Sequence, residues 1–349
     1  MINVSEPFLP EIDRVSFYLE ECWKSRVLTN RGQLVKNYES EISKMHSVSD
    51  VTCVANCTLG LEFALKILTK PDKKEVITTP FTFKATVCAI VNAGFKPVYC
   101  DLMSDGNIDH AKLIDLITPD TAAIMPVHVY GVPCNDKEIS SIGNDYKIPV
   151  IYDAAHCFGV FKDSKSIFEM GDASVISLHA TKGVNCGEGG VVHFKNKENN
   201  ERLRHFTNFN LPIEDGIING TNGKLSELNA ALGLAVLESY ESIFNRRMEV
   251  EKTYRQTLPN HIFFIRDNPN ILNNNLYTPL IFSSEDKVLQ IMNSLLERGI
   301  ISRRYFFPCL DKSCQVASDI ARRVLCIPTH VNLSQEEIFL VCSVVNDAL

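Results

Sequence analysis

Short apolar segments rich in Val and Ile alternate with amphipathic stretches along most of this chain. The apolar segments lie near 98–102, 122–127, 149–153, 173–178 and 190–194, and the amphipathic stretches lie at 84–92, 110–117 and 135–146. Such alternation is typical of parallel βαβ units. It predicts an α/β fold in which a mostly parallel sheet is flanked by helices on both faces.

The pattern changes towards the carboxyl end of the chain. A long charged helix is predicted over 246–257, a loop at 273–275 and another helix over 285–298. These elements fit a smaller α+β domain. We therefore expect a large α/β domain over residues 1–240 and a small domain over residues 241–349.

One lysine is notable for its position between a strand-like segment and a glycine-rich turn. Lys182 follows the apolar run 173–178, and the turn Gly-Glu-Gly-Gly at 187–190 comes soon after it. An amine held rigidly and partly desolvated in such a place can act as a Schiff-base nucleophile. The alternative is a surface lysine in a strand-to-loop connection, which is the more common case for an isolated lysine.

An aspartate, Asp153, ends the apolar segment 149–152 and is followed closely by His156. An acid just after a buried strand lies at the carboxyl edge of a parallel sheet, where open α/β folds bind ligands. In pyridoxal phosphate enzymes such an aspartate pairs with the pyridinium nitrogen of the cofactor. An aspartate that caps a helix would leave the same pattern.

A third segment is suited to bind a phosphate group. Residues 51–55 predict a short buried strand, and residues 56–60 lead into a helix whose apolar residues recur at helical spacing. Free backbone amides and the macrodipole at a helix start favour a phosphate. Taken alone, the segment is explained equally well by ordinary capping of the helix.

Together with further segments, these pieces resemble the DegT/DnrJ/StrS family of nucleotide-sugar aminotransferases. The further segments are Thr-Pro-Phe-Thr-Phe-Lys-Ala-Thr at 79–86, Ala-Gly-Phe-Lys-Pro-Val-Tyr-Cys-Asp at 93–101, His-Val-Tyr-Gly at 128–131 and Asn-Gly-Lys-Leu-Ser-Glu at 222–227. No single match is specific, but ordered matches at plausible spacing are hard to obtain by chance. The resemblance extends over most of the chain, and it implies a fold-type-I aminotransferase with pyridoxal 5'-phosphate as cofactor.

The resemblance also implies roles for individual residues. It makes Lys182 the lysine that carries the cofactor as a Schiff base, and Asp153 the partner of the pyridinium nitrogen. It implies that Phe83 stacks on the cofactor ring, and that Thr58 and Ser177 bind its phosphate.

Three more positions follow from the resemblance, two of them as departures from its usual pattern. His156 stands where the family usually has glutamine, close to the cofactor's ring or phenolic oxygen, and Cys57 replaces a usual glycine. Asn222 is implied to reach the cofactor phosphate of a neighbouring subunit. The expected assembly is therefore a homodimer with shared active sites.

The implied reaction moves the amino group of L-glutamate to a keto sugar carried on a nucleoside diphosphate. The segment His-Ala-Thr-Lys at 179–182 is similar to the corresponding segment of family members that act on dTDP-linked 4-keto-6-deoxyhexoses or related 3-keto sugars. We expect the 4-keto substrate, and a 4-amino-4,6-dideoxyhexose nucleotide for surface polysaccharide or O-antigen assembly as the product.

Several other functions remain open at this point. They are a 3-keto-sugar aminotransferase of the same family, a pyridoxal phosphate lyase acting on an amino acid, and a catalytically silent regulatory protein that binds the cofactor. A sugar dehydratase of the family would have a histidine in place of Lys182, so the lysine argues against it.

The segment 299–308 contains Arg303 and Arg304 beside three aromatic residues. It is similar to the family's segment preceding the residues that border the sugar-binding cleft. Arginine beside aromatic residues could pair with a diphosphate or with the donor carboxylate. A positively charged edge strand explains the segment at least equally well.

Charge and composition narrow the classes of partner. The formal net charge of −7 and the pI near 5.8 provide no basic footprint for nucleic acid or for an anionic membrane. No apolar stretch approaches the roughly 20 residues that span a bilayer, and the N-terminus lacks the pattern of a signal peptide.

The twelve cysteines are scattered and form no Cys-x-x-Cys pair. Cys53, Cys88, Cys100 and Cys326 lie in apolar runs, which favours buried reduced thiols over disulfides or zinc ligands. We therefore expect a cytoplasmic protein.

Overall fold

The computed structural model describes residues 1–70, 72–210 and 220–349. The helices are α1 (Ile12–Ser25), α2 (Gln33–His46), α3 (Cys57–Leu68), α4 (Lys84–Asn92), α5 (Leu113–Leu116), α6 (Asp136–Tyr146), α7 (Lys197–Phe206), α8 (Glu227–Leu237), α9 (Tyr240–Thr257), α10 (Glu285–Glu297), α11 (Gln315–Arg323) and α12 (Gln335–Ala348). The strands are β1 (Thr52–Val54), β2 (Glu75–Thr78), β3 (Lys96–Tyr99), β4 (Thr121–Met125), β5 (Ile151–Asp153), β6 (Phe161–Lys162), β7 (Lys165–Ser166), β8 (Ala173–Ser177), β9 (Gly190–Phe194), β10 (Ile271–Leu272), β11 (Thr278–Ile281) and β12 (Val324–Ile327).

The central sheet has the strand order β1-β9-β8-β5-β4-β2-β3. Strand β5 pairs with β8, and β2 with both β3 and β4, all in parallel. The single bridges Ile124–Val150 and Val127–Asp153 join β4 and β5, also in parallel. Only β9 opposes its neighbours β1 and β8, because the loop 178–189 connects β8 to β9 without a crossover helix. The predicted α/β fold with a mostly parallel sheet is confirmed.

Helices cover both faces of this sheet. Neighbouring residues of one strand pack into different apolar clusters, as Val175 and Ile176 of β8 do, because side chains alternate across a strand. The cluster around Val175 contains α3 and α4, and the cluster around Ile176 contains α2, α6 and α8. With both faces buried, the strands read as continuous apolar runs, which is the feature that made them visible in the sequence.

The carboxyl-terminal part builds a separate apolar cluster. Strands β11 and β12 pair antiparallel, and α9, α10 and α12 supply most of the other members of this cluster. Ile2, at the other end of the chain, joins the same cluster and forms a parallel bridge with Ile300. The division of the chain near residue 240 stays a prediction.

Some local expectations differ from the structure. Helix α3 begins at Cys57 rather than after Gly60, because the side chain of Asn56 accepts a hydrogen bond from the Leu59 amide and caps the helix early. The charged helix predicted over 246–257 extends back to Tyr240. Cys88 is exposed on α4, so the expectation that it is buried was wrong. Among the residues described, no helix has the length and apolar character to span a membrane.

Candidate active site

Three chain segments with candidate residues end at the same edge of the sheet. Asp153 is the last residue of β5 and Ser177 the last residue of β8, and these strands are parallel neighbours. Strand β1, two strands away from β8, runs in the same direction as β8, and its end leads into Cys57 at the start of α3. Carboxyl ends of parallel strands form the ligand-binding edge of an α/β sheet.

Asp153 is a buried carboxylate that lacks a cationic partner at ion-pair distance within the described part of the chain. It is 4% exposed, and its Oδ2 accepts a 2.6 Å hydrogen bond from the Thr86 hydroxyl. The Ala155 amide lies 3.1 Å from Oδ1 and also donates to it. Burial raises the pKa of Asp153, while these two donors and the charge of Lys182 oppose that rise. A cationic ring nitrogen would relieve the cost of burying this charge.

Lys182 lies on a loop that is held by backbone hydrogen bonds to the glycine turn. The amides of Leu178 and Ala180 donate to the carbonyls of Gly189 and Gly187, both within 3.0 Å. Gly187 has φ +80°, a conformation that glycine adopts without steric cost. The side chain of Lys182 is half-buried, and its charge acts on Asp153 and His156. The turn thus holds the amine within electrostatic range of the acid that ends β5.

His156 is a buried histidine with a defined hydrogen-bonding pattern. Its Nδ1 accepts a 3.2 Å hydrogen bond from the Tyr130 amide, and Tyr130 itself has the left-handed φ of 56°. Burial, with the charge of Lys182 in addition, lowers the pKa of His156 well below its usual range. The ring is therefore neutral near pH 7, and since Nδ1 accepts, the proton is on Nε2. His156 presents an Nε2–H donor.

The first turn of α3 leaves backbone amides free. The Asn56 side chain occupies the Leu59 amide at 2.9 Å, and no acceptor is recorded, among the described residues, for the amides of Cys57 and Thr58. Such free amides at a helix N-terminus suit an anion. The sheet approaches this turn so closely that a Cβ on Gly190 would lie 2.6 Å from the Cys57 nitrogen.

The Cys57 side chain turns away from the free amides. The thiol is buried against β8, with Sγ 4.0 Å from the Val175 carbonyl oxygen. Burial raises the pKa of this thiol well above its usual value, so it stays protonated. A cysteine is therefore accommodated at this position without blocking the turn.

The remaining expected residues differ in how they are placed. Ser177 is buried, and its Oγ accepts a 3.4 Å hydrogen bond from the His179 amide. The Phe83 side chain is 61% exposed at the start of α4, where it borders a groove of about 460 Å³. Asn222 is exposed, and no side-chain contact between it and the other candidates is recorded within the described ranges.

Comparison with known proteins identifies the family of this chain. Residues 12–346 match the model of the DegT/DnrJ/EryC1/StrS aminotransferase family. The chain belongs to this family. Because this is a family of pyridoxal-phosphate-dependent aminotransferases, this protein is one as well. The expected enzyme class and cofactor are confirmed.

Individual DegT-family relatives are similar over nearly the whole chain. The dTDP-4-amino-4,6-dideoxy-D-glucose transaminase of Shigella dysenteriae is 36% identical over 99% of this chain and 98% of its own length. The Escherichia coli protein of the same name is 34% identical over 96% of this chain and 95% of its own. The crystal structure of DesI in the presence of its TDP-sugar product superposes with a TM-score of 0.93, at 28% identity, over 99% of this chain and 93% of that one.

Several residues around this candidate site could not be predicted from the sequence. Thr86 lies in a recognised segment, but nothing in its spacing showed that it faces Asp153. Tyr277 and Phe306 come from the carboxyl-terminal part of the chain and pack against His156, with ring centroids 4.8 and 6.0 Å away. The only signal for Phe306 was its place in the arginine and aromatic segment 299–308, and none existed for Tyr277.

Proposed function

We propose that this aminotransferase transfers the amino group of L-glutamate to dTDP-linked 4-keto-6-deoxyglucose, giving dTDP-4-amino-4,6-dideoxyglucose. The reaction type rests on the family match and on the electrostatic interaction between the Lys182 amine and the buried Asp153. The choice of sugar and nucleotide rests on the names of the two relatives that are 36% and 34% identical. A product of this kind suits the assembly of a surface polysaccharide such as O-antigen.

The donor set of the site fits pyridoxal phosphate. We assign the aldehyde to Lys182, the ring nitrogen to Asp153 and the ring face to the exposed side chain of Phe83. The free amides of Cys57 and Thr58 supply the donors that a phosphate requires. Ser177, at the end of β8, adds a hydroxyl to that phosphate site, and the Nε2–H of His156 is assigned to the cofactor's phenolic oxygen.

When bound, the cofactor supplies an electron sink for the negative charge that develops on the amino donor's α carbon. The chain's own residues supply proton transfer and charge balance. With the cofactor held by these residues, the Lys182 Nζ would take the proton from that α carbon and pass it to a carbon of the cofactor, so that the proton is transferred and not released. Asp153 would keep the ring nitrogen protonated, because the negative charge of a nearby carboxylate favours the cationic form of that nitrogen. His156 stays neutral and donates from Nε2.

The groove beside Phe83 is the proposed entrance for the nucleotide sugar. Lys84 and Arg303 line it, are exposed, and have no ion-pair partner recorded among the described residues. Two such cations match a diphosphate. Phe307 adds an aromatic wall, on which Arg304 stacks at 3.5 Å from the ring centroid.

The assembly we propose is a homodimer in which Asn222 completes the phosphate site of the partner subunit. The exposure of Asn222, and its lack of contacts to Lys182 or Asp153 in its own chain, support a role across an interface. A twofold dimer is also the commonest closed assembly. The cytoplasm is the proposed compartment, in keeping with all twelve cysteines being free thiols.

The proposal is tested in two half reactions. The protein is loaded with pyridoxal phosphate and mixed with L-glutamate, and the absorbance is followed as the bound cofactor changes to its pyridoxamine form. The enzyme in its pyridoxamine form is then mixed with 4-keto-6-deoxy sugars linked to dTDP, UDP or GDP, and with a dTDP-3-keto sugar. Only the dTDP-4-keto sugar should restore the pyridoxal spectrum at low concentration, and NMR of the product should place the amine on carbon 4.

Lys182→Ala is the control, and it should be inactive in both half reactions while remaining folded. Failure of L-glutamate to change the spectrum would reject the donor. Preference for the 3-keto sugar, or for UDP or GDP, would reject the acceptor while leaving the enzyme class intact.

A further inference from the structure

Tyr277 supplies the one side-chain hydrogen bond recorded for Lys182 within the described residues. The Lys182 Nζ donates to the Tyr277 hydroxyl oxygen at 3.3 Å. The same Nζ lies 5.7 Å from the centroid of the Tyr277 ring. The phenol therefore accounts for the direction in which the amine points.

The Tyr277 ring is held by its neighbours rather than by Lys182. It packs edge to face against His156 at 4.8 Å, Tyr130 at 5.8 Å and Tyr305 at 5.6 Å between centroids. Three ring contacts fix a side chain that has only two rotatable bonds before the hydroxyl. Its oxygen is thus positioned independently of whether the lysine amine is present.

The backbone that carries Tyr277 is tied to the loop that carries His156. The Asn274 side chain donates from Nδ2 to the carbonyl oxygens of His156 and Phe158, at 2.8 and 2.9 Å. Its Oδ1 accepts from the Leu276 amide at 3.0 Å, which closes a turn just before Tyr277. Asn274 is 9% exposed, so these bonds are protected from water. These bonds fix the position of Tyr277 relative to the loop that follows β5 and carries His156.

A lysine amine has four freely rotating bonds behind it, and holding it in one place costs conformational entropy. Proton transfer requires the amine within hydrogen-bond reach of the reacting carbon. An acceptor fixed in advance reduces the entropy that must be lost in the transition state. In the neutral amine, one N–H bound to Tyr277 leaves the nitrogen lone pair free to take a proton elsewhere.

We propose that Tyr277 is a positioning residue for the free amine of Lys182. The Tyr277 hydroxyl oxygen accepts one N–H of this amine, and the lone pair of the nitrogen then faces the reacting carbon. This proposal rests on the proton-transfer role given above to Lys182. It assigns a function to the carboxyl-terminal part of the chain, because Tyr277 lies 95 residues beyond Lys182.

The test compares Tyr277→Phe with Tyr305→Phe. Phenylalanine keeps the ring contacts and removes only the hydroxyl. Tyr305 belongs to the same ring cluster but has no recorded contact with Lys182, so it controls for small changes in packing. In the glutamate half reaction Tyr277→Phe should lower the limiting rate by about 2- to 10-fold, the range expected for loss of one net hydrogen bond. The glutamate concentration at half-maximal rate should change less than twofold, and Tyr305→Phe should match the wild type.

A second measurement needs no turnover. The cofactor-free protein is treated with formaldehyde and cyanoborohydride, and mass spectrometry follows methylation of the peptide that contains Lys182, with other lysine peptides as internal standards. Condensation with formaldehyde to the imine removes both hydrogens of the neutral amine, including the one donated to Tyr277, so the hydrogen bond must be given up and Tyr277→Phe should be labelled about 2- to 10-fold faster there. Tyr305→Phe should be labelled at the wild-type rate.

Equal labelling in Tyr277→Phe and the wild type overturns the proposal, and so does an equal rate loss in both variants, which would indicate packing alone. Tyr277→Met serves as a second hydroxyl-free variant if the phenylalanine protein melts at a lower temperature. Should wild type fail to react with L-glutamate, the proposed donor fails, while the labelling still decides whether Tyr277 holds the amine.

Discussion

The hydroxyl of Thr86 donates a 2.6 Å hydrogen bond to Oδ2 of Asp153, so a helix outside the strand that carries the acid fixes its orientation. The Thr82 hydroxyl lies 2.7 Å from that of Thr86 and continues the chain of polar groups. Both threonines are buried. The acid at the end of β5 is therefore aligned by the first turn of α4, the same turn that begins beside Phe83.

Thr86→Val should weaken cofactor binding. The change keeps the shape of the side chain but removes a donor from a buried carboxylate, which costs about one hydrogen bond and corresponds to a Kd about 2- to 10-fold higher. Fluorescence titration of the cofactor-free protein measures this. Thr78→Val is the matched control, because its buried hydroxyl donates to the Met125 carbonyl at 2.8 Å, away from Asp153. An equal change in Kd for both variants would contradict the prediction.

Asp153→Asn should act in opposite directions on the two forms of the protein. Without cofactor, burial raises the pKa of Asp153, so its ionised form costs stability at neutral pH. A neutral amide of the same shape should leave the thermal midpoint of that form unchanged or higher. With cofactor, the charge that balances the ring nitrogen is lost, and the glutamate half reaction should slow by about 10- to 100-fold. Calorimetry and stopped-flow absorbance test the two parts, and a full half-reaction rate would sink the assigned role.

Mixed dimers test the shared site. Lys182→Ala and Asn222→Ala subunits should each be nearly inactive as homodimers. After random exchange about half of the dimers are mixed, and each has one site with both residues intact, so about a quarter of wild-type activity should return. Separately tagged subunits, purified through both tags, verify the mixing. Verified mixed dimers that stay inactive, or a fully active monomer in sedimentation, would exclude a site shared through Asn222.

Acid should destabilise the protein through two buried histidines. Burial lowers the pKa of both His46 and His128 to about 3. Neutral His46 accepts at Nε2 from the Gly159 amide, and neutral His128 accepts at Nδ1 from the Cys134 amide. Because the folded-state pKa is lower than the unfolded one, their contribution is complete above about pH 6.5 and is lost as the pH falls towards about 3.

Urea unfolding between pH 8 and pH 4.5 measures this effect. The free energy of unfolding should fall steadily below about pH 6.5. His46→Gln should be less stable at pH 8 but should lose stability less steeply in acid. His261→Gln changes an exposed histidine and should keep the wild-type slope. A wild-type slope in His46→Gln would show that another group dominates.

The sequence by itself determined the fold class and the order of the site segments. Strands buried on both faces leave continuous apolar runs, and residues directly after such runs lie at one edge of a parallel sheet. Lys182, Asp153 and the start of α3 could therefore be predicted, without coordinates, to lie near one edge of the sheet. The reversed direction of β9 could not be predicted from the sequence, because an apolar run carries no information on the direction of its strand. The early start of α3 depended on one side-chain hydrogen bond from Asn56, which the apolar spacing does not record.

The tertiary structure alone decided which side chains surround these residues. Thr86 lies 67 residues before Asp153, and Tyr277 lies 95 residues after Lys182. Phe306 reaches His156 from the carboxyl-terminal part of the chain, with the two rings within 5° of parallel. Local periodicity reports the face on which a residue lies, but not which distant segment packs against it, because that depends on how whole elements dock. The sequence indicated the candidate groups, and the packing of distant segments determined which side chains surround and orient them.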